Sequence, residues 1–254
     1  MRQNWPERLW LVRHGQSQGN VARDAAAEAG LATIDIDMRD VDVPLSELGS
    51  QQAQSVGRWF ASLPADERPE VMLSSPYVRA RQTAEFICKS GALAEGPTRT
   101  ITDERLRERE FGVFDRLTTI GIREKFPEEA AHRTRLGKFY HRPPGGESWA
   151  DVILRLRSML NTINLHYSDR RVLVVCHQVV VLCMRYILEE LDESQILAID
   201  QQAEVLNCGV CAYEFAPDAS GLCIPTLALW NHDTPLDAEG AAKTSEPDAM
   251  AGSR

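Results

Sequence analysis

The chain has little spare positive charge. It sets 28 Lys and Arg against 37 Asp and Glu, a formal net charge of −9 over 254 residues. A field of that sign opposes nucleic acid, anionic membrane surfaces and other polyanions, so a small phosphorylated substrate would need locally clustered arginine. No apolar run approaches the roughly 18 to 20 residues of a membrane span, and Met1 to Arg8 lack the apolar core of a signal peptide. The chain therefore reads as cytoplasmic, with no membrane partner and no nucleic-acid partner. Six cysteines (Cys88, Cys176, Cys183, Cys208, Cys211, Cys223) are too few for a disulfide scaffold at this length and read as reduced thiols. Cys208-Gly209-Val210-Cys211 has metal-knuckle spacing, but no second close pair of Cys or His faces it, and structural zinc is not expected. A Gly-rich nucleotide loop of the lysine type, a dinucleotide fingerprint and a strand-to-helix serine elbow are all missing, which removes the common alternatives.

What is present is a set of short β-rich runs alternating with longer helical ones, the pattern of an α/β fold with a mainly parallel sheet covered by helices. Strands are expected at Leu9 to Val12, Val71 to Ser74, Thr98 to Thr102, Val172 to Val175, Val205 to Phe215 and Leu222 to Trp230. Helices are expected from Glu47 to Leu63 behind an N-cap at Ser46, after Ser75-Pro76 up to Gly91, from Trp149 to His166, and from Val179 to Leu188. Asp103 to Gly112 reads as a charged loop. The hydrophobic fraction of 43% suits one domain over residues 1–231. Residues 232–254 are rich in Asp, Ala, Pro, Gly and Ser and read as a disordered tail, as does much of Val21 to Val43.

The chemistry concentrates at strand ends. Leu11-Val12-Arg13-His14-Gly15-Gln16-Ser17-Gln18-Gly19-Asn20 stops a strand at a histidine beside an arginine. Arg offers a fixed fork of N–H donors to phosphoryl oxygens, the glycines let backbone approach, and neutral imidazole is a competent nucleophile at phosphorus. Val174-Val175-Cys176-His177 delivers a second histidine to a sheet edge, and ligands in open α/β sheets collect outside the carboxyl ends of strands. Taken singly, each histidine could be a satisfied core residue, and Arg79 and Glu108 could be solvated surface charges.

The order of the motifs argues otherwise. Arg13-His14-Gly15, Ser75-Pro76-x-x-Arg79-Ala80-x-x-Thr83, Glu108 ahead of Phe111-Gly112, Pro144-Gly145-Gly146-Glu147-Ser148 and the strand ending in His177 resemble the histidine phosphatase superfamily over roughly Leu9 to Leu229. That group includes cofactor-dependent phosphoglycerate mutases and the bisphosphatase domain of the bifunctional fructose-2,6-bisphosphate enzyme. The resemblance implies a three-layer, phosphoglycerate mutase-like α/β sandwich. It also implies that His14 is the phosphorylated nucleophile, that Arg13, Arg79 and His177 form the phosphoryl pocket, and that Glu108 is the proton donor. Ser17, Asn20 and Gln178 are carried over as substrate contacts, and Arg81, Arg107 and Arg109 keep the reading of surface charges. Cationic side chains supply the charge that phosphoryl transfer needs, so neither metal nor cofactor is expected.

Gln178 after the second histidine is similar to the fructose-bisphosphatase branch. That branch places an Arg soon after it for a second phosphate, where this chain has Val181 and Leu182, with Arg185 a helical turn later. Arg133, Arg135 and Lys138 lie in the cap region as further candidate substrate contacts. The mutase branch has a longer insertion than the span from Glu108 to His177, and a smaller cap shields a phosphoenzyme less well from water. A phosphatase acting on a small phosphorylated metabolite is the preferred reading. A mutase, and a module that binds a phosphorylated ligand without turnover, are the alternatives.

Overall fold

The computed structural model describes residues 5–93, 100–217 and 223–245. Strand β1 (Arg8–Arg13) and strand β4 (Arg171–Cys176) pair in parallel with Leu9 opposite Val172 and Arg13 opposite Cys176. The sheet extends on one side through β2 (Val71–Ser74) and β3 (Thr100–Thr102), both parallel, and on the other through antiparallel β5 (Val210–Pro217) and β6 (Cys223–His232). The order β3-β2-β4-β1-β5-β6 leaves the two most apolar strands at the centre, where β-branched runs can bury both faces.

Side-chain alternation divides the core between the two faces of the sheet. Leu9, Leu11, Val172 and Val174 pack with α6 (Trp149–His166) and α7 (Gln178–Leu188). Trp10, Val12, Leu173 and Val175 pack with α2 (Glu47–Ser62) and α3 (Val78–Ser90). The result is the three-layer sandwich expected from the sequence, and each boundary has a local cause. Ser46 caps α2 by accepting from Gly49 N–H, Ser148 and Asp151 form a capping box on α6, and α3 stops at Gly91.

Several elements depart from the sequence reading. Part of the stretch read as irregular is α1 (Gln18–Glu28), started by a capping box between Ser17 and Asn20. It buries only Asn20 and Ala26, so it has no apolar stripe by which to be recognised. Helices α4 (Thr119–Lys125), α5 (Pro127–Tyr140), broken at Gly137 where φ is +80°, and α8 (Glu193–Gln202) form between the recognised segments. Strand β5 starts at Val210, because Leu206 to Gly209 turn and Cys208 takes a positive φ of 57°. The expected turn around Asp218 to Gly221, and Thr98, lie outside the described residues.

The tail is the largest correction. Residues 234–239 form α9 (Thr234–Glu239), and Leu236 is fully buried on the face that carries α2. Beyond it, Gln52 Nε2 donates to Ala242 O at 2.8 Å and to Thr244 Oγ1 at 2.9 Å. Residues 246–254 lie outside the described residues. All six cysteines are free thiols, and among the described residues no helix is long and apolar enough to cross a membrane.

Removing a buried leucine costs about 2–4 kcal/mol when the site cannot collapse. Leu236→Ala is expected to lower the unfolding free energy by that amount in urea denaturation. An unchanged midpoint would mean that α9 is not docked.

Candidate active site

The register of β1 and β4 sets the geometry. His14 and His177 are the next residues after paired strand ends, and His14 N–H donates to Cys176 O at 2.9 Å, continuing the ladder by one step. Their rings stand 5.1 Å apart at 64°. Ser75, just past the end of β2, donates its backbone N–H to Val175 O and places its hydroxyl 2.8 Å from His177 Nε2. Three adjacent strand ends thus meet at one crevice.

The loop after β1 is held by backbone contact and by long-range hydrogen bonds. A Cβ at Gly15 would lie 2.4 Å from Gly49 O, and one at Gly49 would lie 2.0 Å from Gln16 O, so the loop and the start of α2 touch only because both residues are glycine. Gln16 N–H donates to Gln52 Oε1, and Ser46 Oγ donates to the Gln16 side-chain oxygen at 2.7 Å. Asn207 Nδ2 donates to His14 O at 3.0 Å. On α3, Thr83 lies one turn beyond Arg79. Its hydroxyl donates to Arg79 O and accepts from Gly15 N–H at 3.1 Å, a physical reason for the four-residue spacing in that motif.

His14 is held as a neutral imidazole. Its Nδ1 lies 2.7 Å from Gly15 O, which can only accept, so Nδ1 carries the proton and Nε2 keeps its lone pair. Burial, then the Arg79 and Arg13 guanidinium groups, hold its pKa well below the ordinary histidine value. The ring is neutral at physiological pH. Arg79 donates Nε–H to His14 Nε2 at 3.2 Å and directs Nη1 to Asp40 O and Nη2 to the Asp40 carboxylate. Arg13 donates Nη1–H to Val205 O at 2.5 Å. His177 is fully buried and likewise held neutral, first by burial and then by Arg79 and His14, and its Nδ1 has no hydrogen-bond partner.

An open cleft lies over these groups. Seven of the eight residues expected from the sequence line it: Arg13, His14, Ser17, Asn20, Arg79, Glu108 and Gln178. His177, with its ring 5.1 Å from that of His14, is not among the residues lining the cleft. Glu108 sits on the opposing loop, one oxygen accepting from Arg109 N–H at 2.8 Å. That loop is clamped from α6: Arg155 donates to Arg105 O and Glu108 O and pairs with Glu147, which also binds Arg107. Glu147 of the Pro144 to Ser148 segment therefore positions the loop that carries Glu108.

Some side chains depart from their sequence reading. Arg109 is almost fully buried, with its guanidinium over Phe111, whereas Arg81 is exposed as expected. None of the cap cations reaches the cleft: Lys138 pairs with Asp200 at 2.6 Å, Arg133 is buried and Arg135 is exposed. Arg185 pairs with Glu189 and stacks over Trp230. Asp40, Arg23 and Asp115 line the cleft without any sequence signal, since they come from irregular or unrecognised segments. Glu129, His132 and His141 bring ligand-type atoms within 4.8 Å of one another, but outside the cleft. The Arg133 and Arg109 charges felt at His141 oppose a dication there.

A family model described as histidine phosphatase superfamily (branch 1) matches residues 9–223. A 2,3-bisphosphoglycerate-dependent phosphoglycerate mutase of Rhizobium meliloti is 30% identical over 194 residues, 76% of this chain and 84% of that protein. The chicken 6-phosphofructo-2-kinase/fructose-2,6-bisphosphatase is 30% identical over 189 residues, 74% of this chain. This chain spans only 34% of that enzyme. Among solved structures, a mycobacterial glucosyl-3-phosphoglycerate phosphatase superposes with a TM-score of 0.67 at 25% identity, covering 89% of this chain and 99% of its own.

Neutral burial of histidine links stability to pH. His14, His177 and His141 have folded pKa values below their unfolded ones, so between those values the unfolded chain binds more protons and stability rises with pH. Lowering the pH from 7.5 to about 5.5 is therefore expected to destabilise the fold, by up to about 1.4 kcal/mol per pH unit for each histidine. The slope should become shallower in His177→Asn. A urea midpoint that is flat across this window would contradict the buried neutral state.

Proposed function

We propose that this chain, which belongs to the histidine phosphatase superfamily, is a metal-independent phosphomonoesterase acting on a small phosphorylated metabolite. The observation that carries the reading is the Nδ1 to Gly15 O hydrogen bond, which leaves His14 Nε2 unprotonated against Arg79 at the cleft. In the proposed first step, the Nε2 lone pair forms a bond to phosphorus as the ester P–O bond breaks. Glu108 gives its proton to the leaving oxygen. Water then attacks the phosphohistidine, with the Glu108 carboxylate taking its proton, and releases inorganic phosphate.

Arg13, Arg79 and Asn20 line the cleft and supply donors for the equatorial oxygens, where negative charge spreads in the transition state. Binding a phosphoryl group pulls Arg79 from His14 Nε2 toward that group, which frees the lone pair as the electrophile arrives. Hydrolysis is favoured over transfer to a second hydroxyl because the cleft is open to water. Interconversion of 3-phosphoglycerate and 2-phosphoglycerate stimulated by bisphosphoglycerate would instead support the mutase reading.

His14→Ala is expected to abolish hydrolysis of aryl phosphates and the trapping of labelled phosphate on the protein. Glu108→Gln should slow alkyl phosphates by about 10² to 10⁴, the usual range for a general acid, and slow 4-nitrophenyl phosphate much less. Full activity in His14→Ala would overturn the covalent route. Equal losses on both ester types would remove Glu108 as the acid.

A further inference from the structure

Beside the nucleophile cleft lies a second, smaller and open side pocket, walled by Ile34, Ile36, Met38 and Val43 together with Arg23, Asp40, Asp115 and Arg116. The two cavities share Gly19, Arg23, Asp40 and Asp115. Gly19 marks the partition: a Cβ there would reach Val43 Cγ1 at 3.3 Å and Ile36 Cδ1 at 3.8 Å, so any side chain would narrow the passage. We infer that this chamber receives the leaving group, and that the substrate is a monoester whose leaving group is uncharged, partly apolar and without a second phosphate or carboxylate. The inference rests on the phosphomonoesterase reading above.

The argument is one of charge placement. A second anionic group would need a cation that has no carboxylate beside it, and neither arginine of the side pocket meets that condition. Arg116 Nε lies 3.9 Å from Asp115, and Arg23 also offsets the Asp115 charge. Asp40 faces the same space while it neutralises Arg79. The cations that could have served a second phosphate are committed elsewhere, Lys138 to Asp200 and Arg185 to Glu189. The apolar wall offers contact to a ring or short aliphatic body, while the paired arginines and carboxylates can hydrogen-bond to hydroxyls.

The test compares phenyl phosphate with 3-carboxyphenyl phosphate, two esters of similar leaving-group basicity, using the full chain at pH 7.5. The carboxylated ester is expected to show kcat/KM lower by about tenfold or more, and Asp115→Asn should bring the two within about threefold, because a like charge is then removed from the chamber. Met38→Asp should lower kcat/KM for phenyl phosphate by about tenfold by placing a charge on the apolar wall. Equal or faster turnover of the carboxylated ester, or a gap unmoved by Asp115→Asn, overturns the inference and leaves the phosphatase reading standing. A chain that hydrolyses neither ester overturns both.

Discussion

The parallel register between β1 and β4 is the constraint on which the site depends. A one-residue slip would turn every side chain of β1 to the other face, moving Trp10 and Val12 into the helical layer that now receives Leu9 and Leu11. Both faces are buried, so such a slip would disrupt two packed layers at once. The same register places His14 beside Cys176 O and its ring 5.1 Å from that of His177. Core packing and histidine placement are therefore one specification.

Concentrating two guanidinium groups and two imidazoles in a desolvated crevice is expensive unless each finds a partner. The structure distributes those partners among distant segments. Asp40 neutralises Arg79, the Val205 carbonyl binds Arg13, and Ser75 engages His177. The imidazoles meet the remaining cost by staying neutral. The same neutrality is what the proposed attack at phosphorus would require.

The residues that line the cleft were largely legible in the sequence because their signals are local. A β-branched run ending in Cys176-His177 announces a central strand and its exit, and the spacing of Arg79 to Thr83 is one helical turn that points both toward the nucleophile loop. The residues missed carry no such local mark. Asp40 belongs to an irregular stretch and gains its role only through Arg79. Helix α1 faces the cleft with polar atoms and so lacks the apolar periodicity that identifies a helix. Composition misrepresented the C-terminal segment, because one buried leucine and a few hydrogen bonds suffice to dock it. Arg109 was misread for the opposite reason, since its charged neighbours Glu108 and Glu110 suggested solvent around a side chain that lies inside.

The hub at Gln52 has a consequence for the order of assembly. Through it the nucleophile loop near residue 16 is joined to Thr244, whose hydroxyl donates to Asn207 Oδ1 at 2.9 Å, and Asn207 holds His14 O in turn. These contacts close loops of very long sequence separation, which form late and slow folding. The loop that follows β1 is thus among the last parts to acquire its complete surroundings. The surroundings of His14 are complete only once Asn207 and the segment around Thr244 have closed over it.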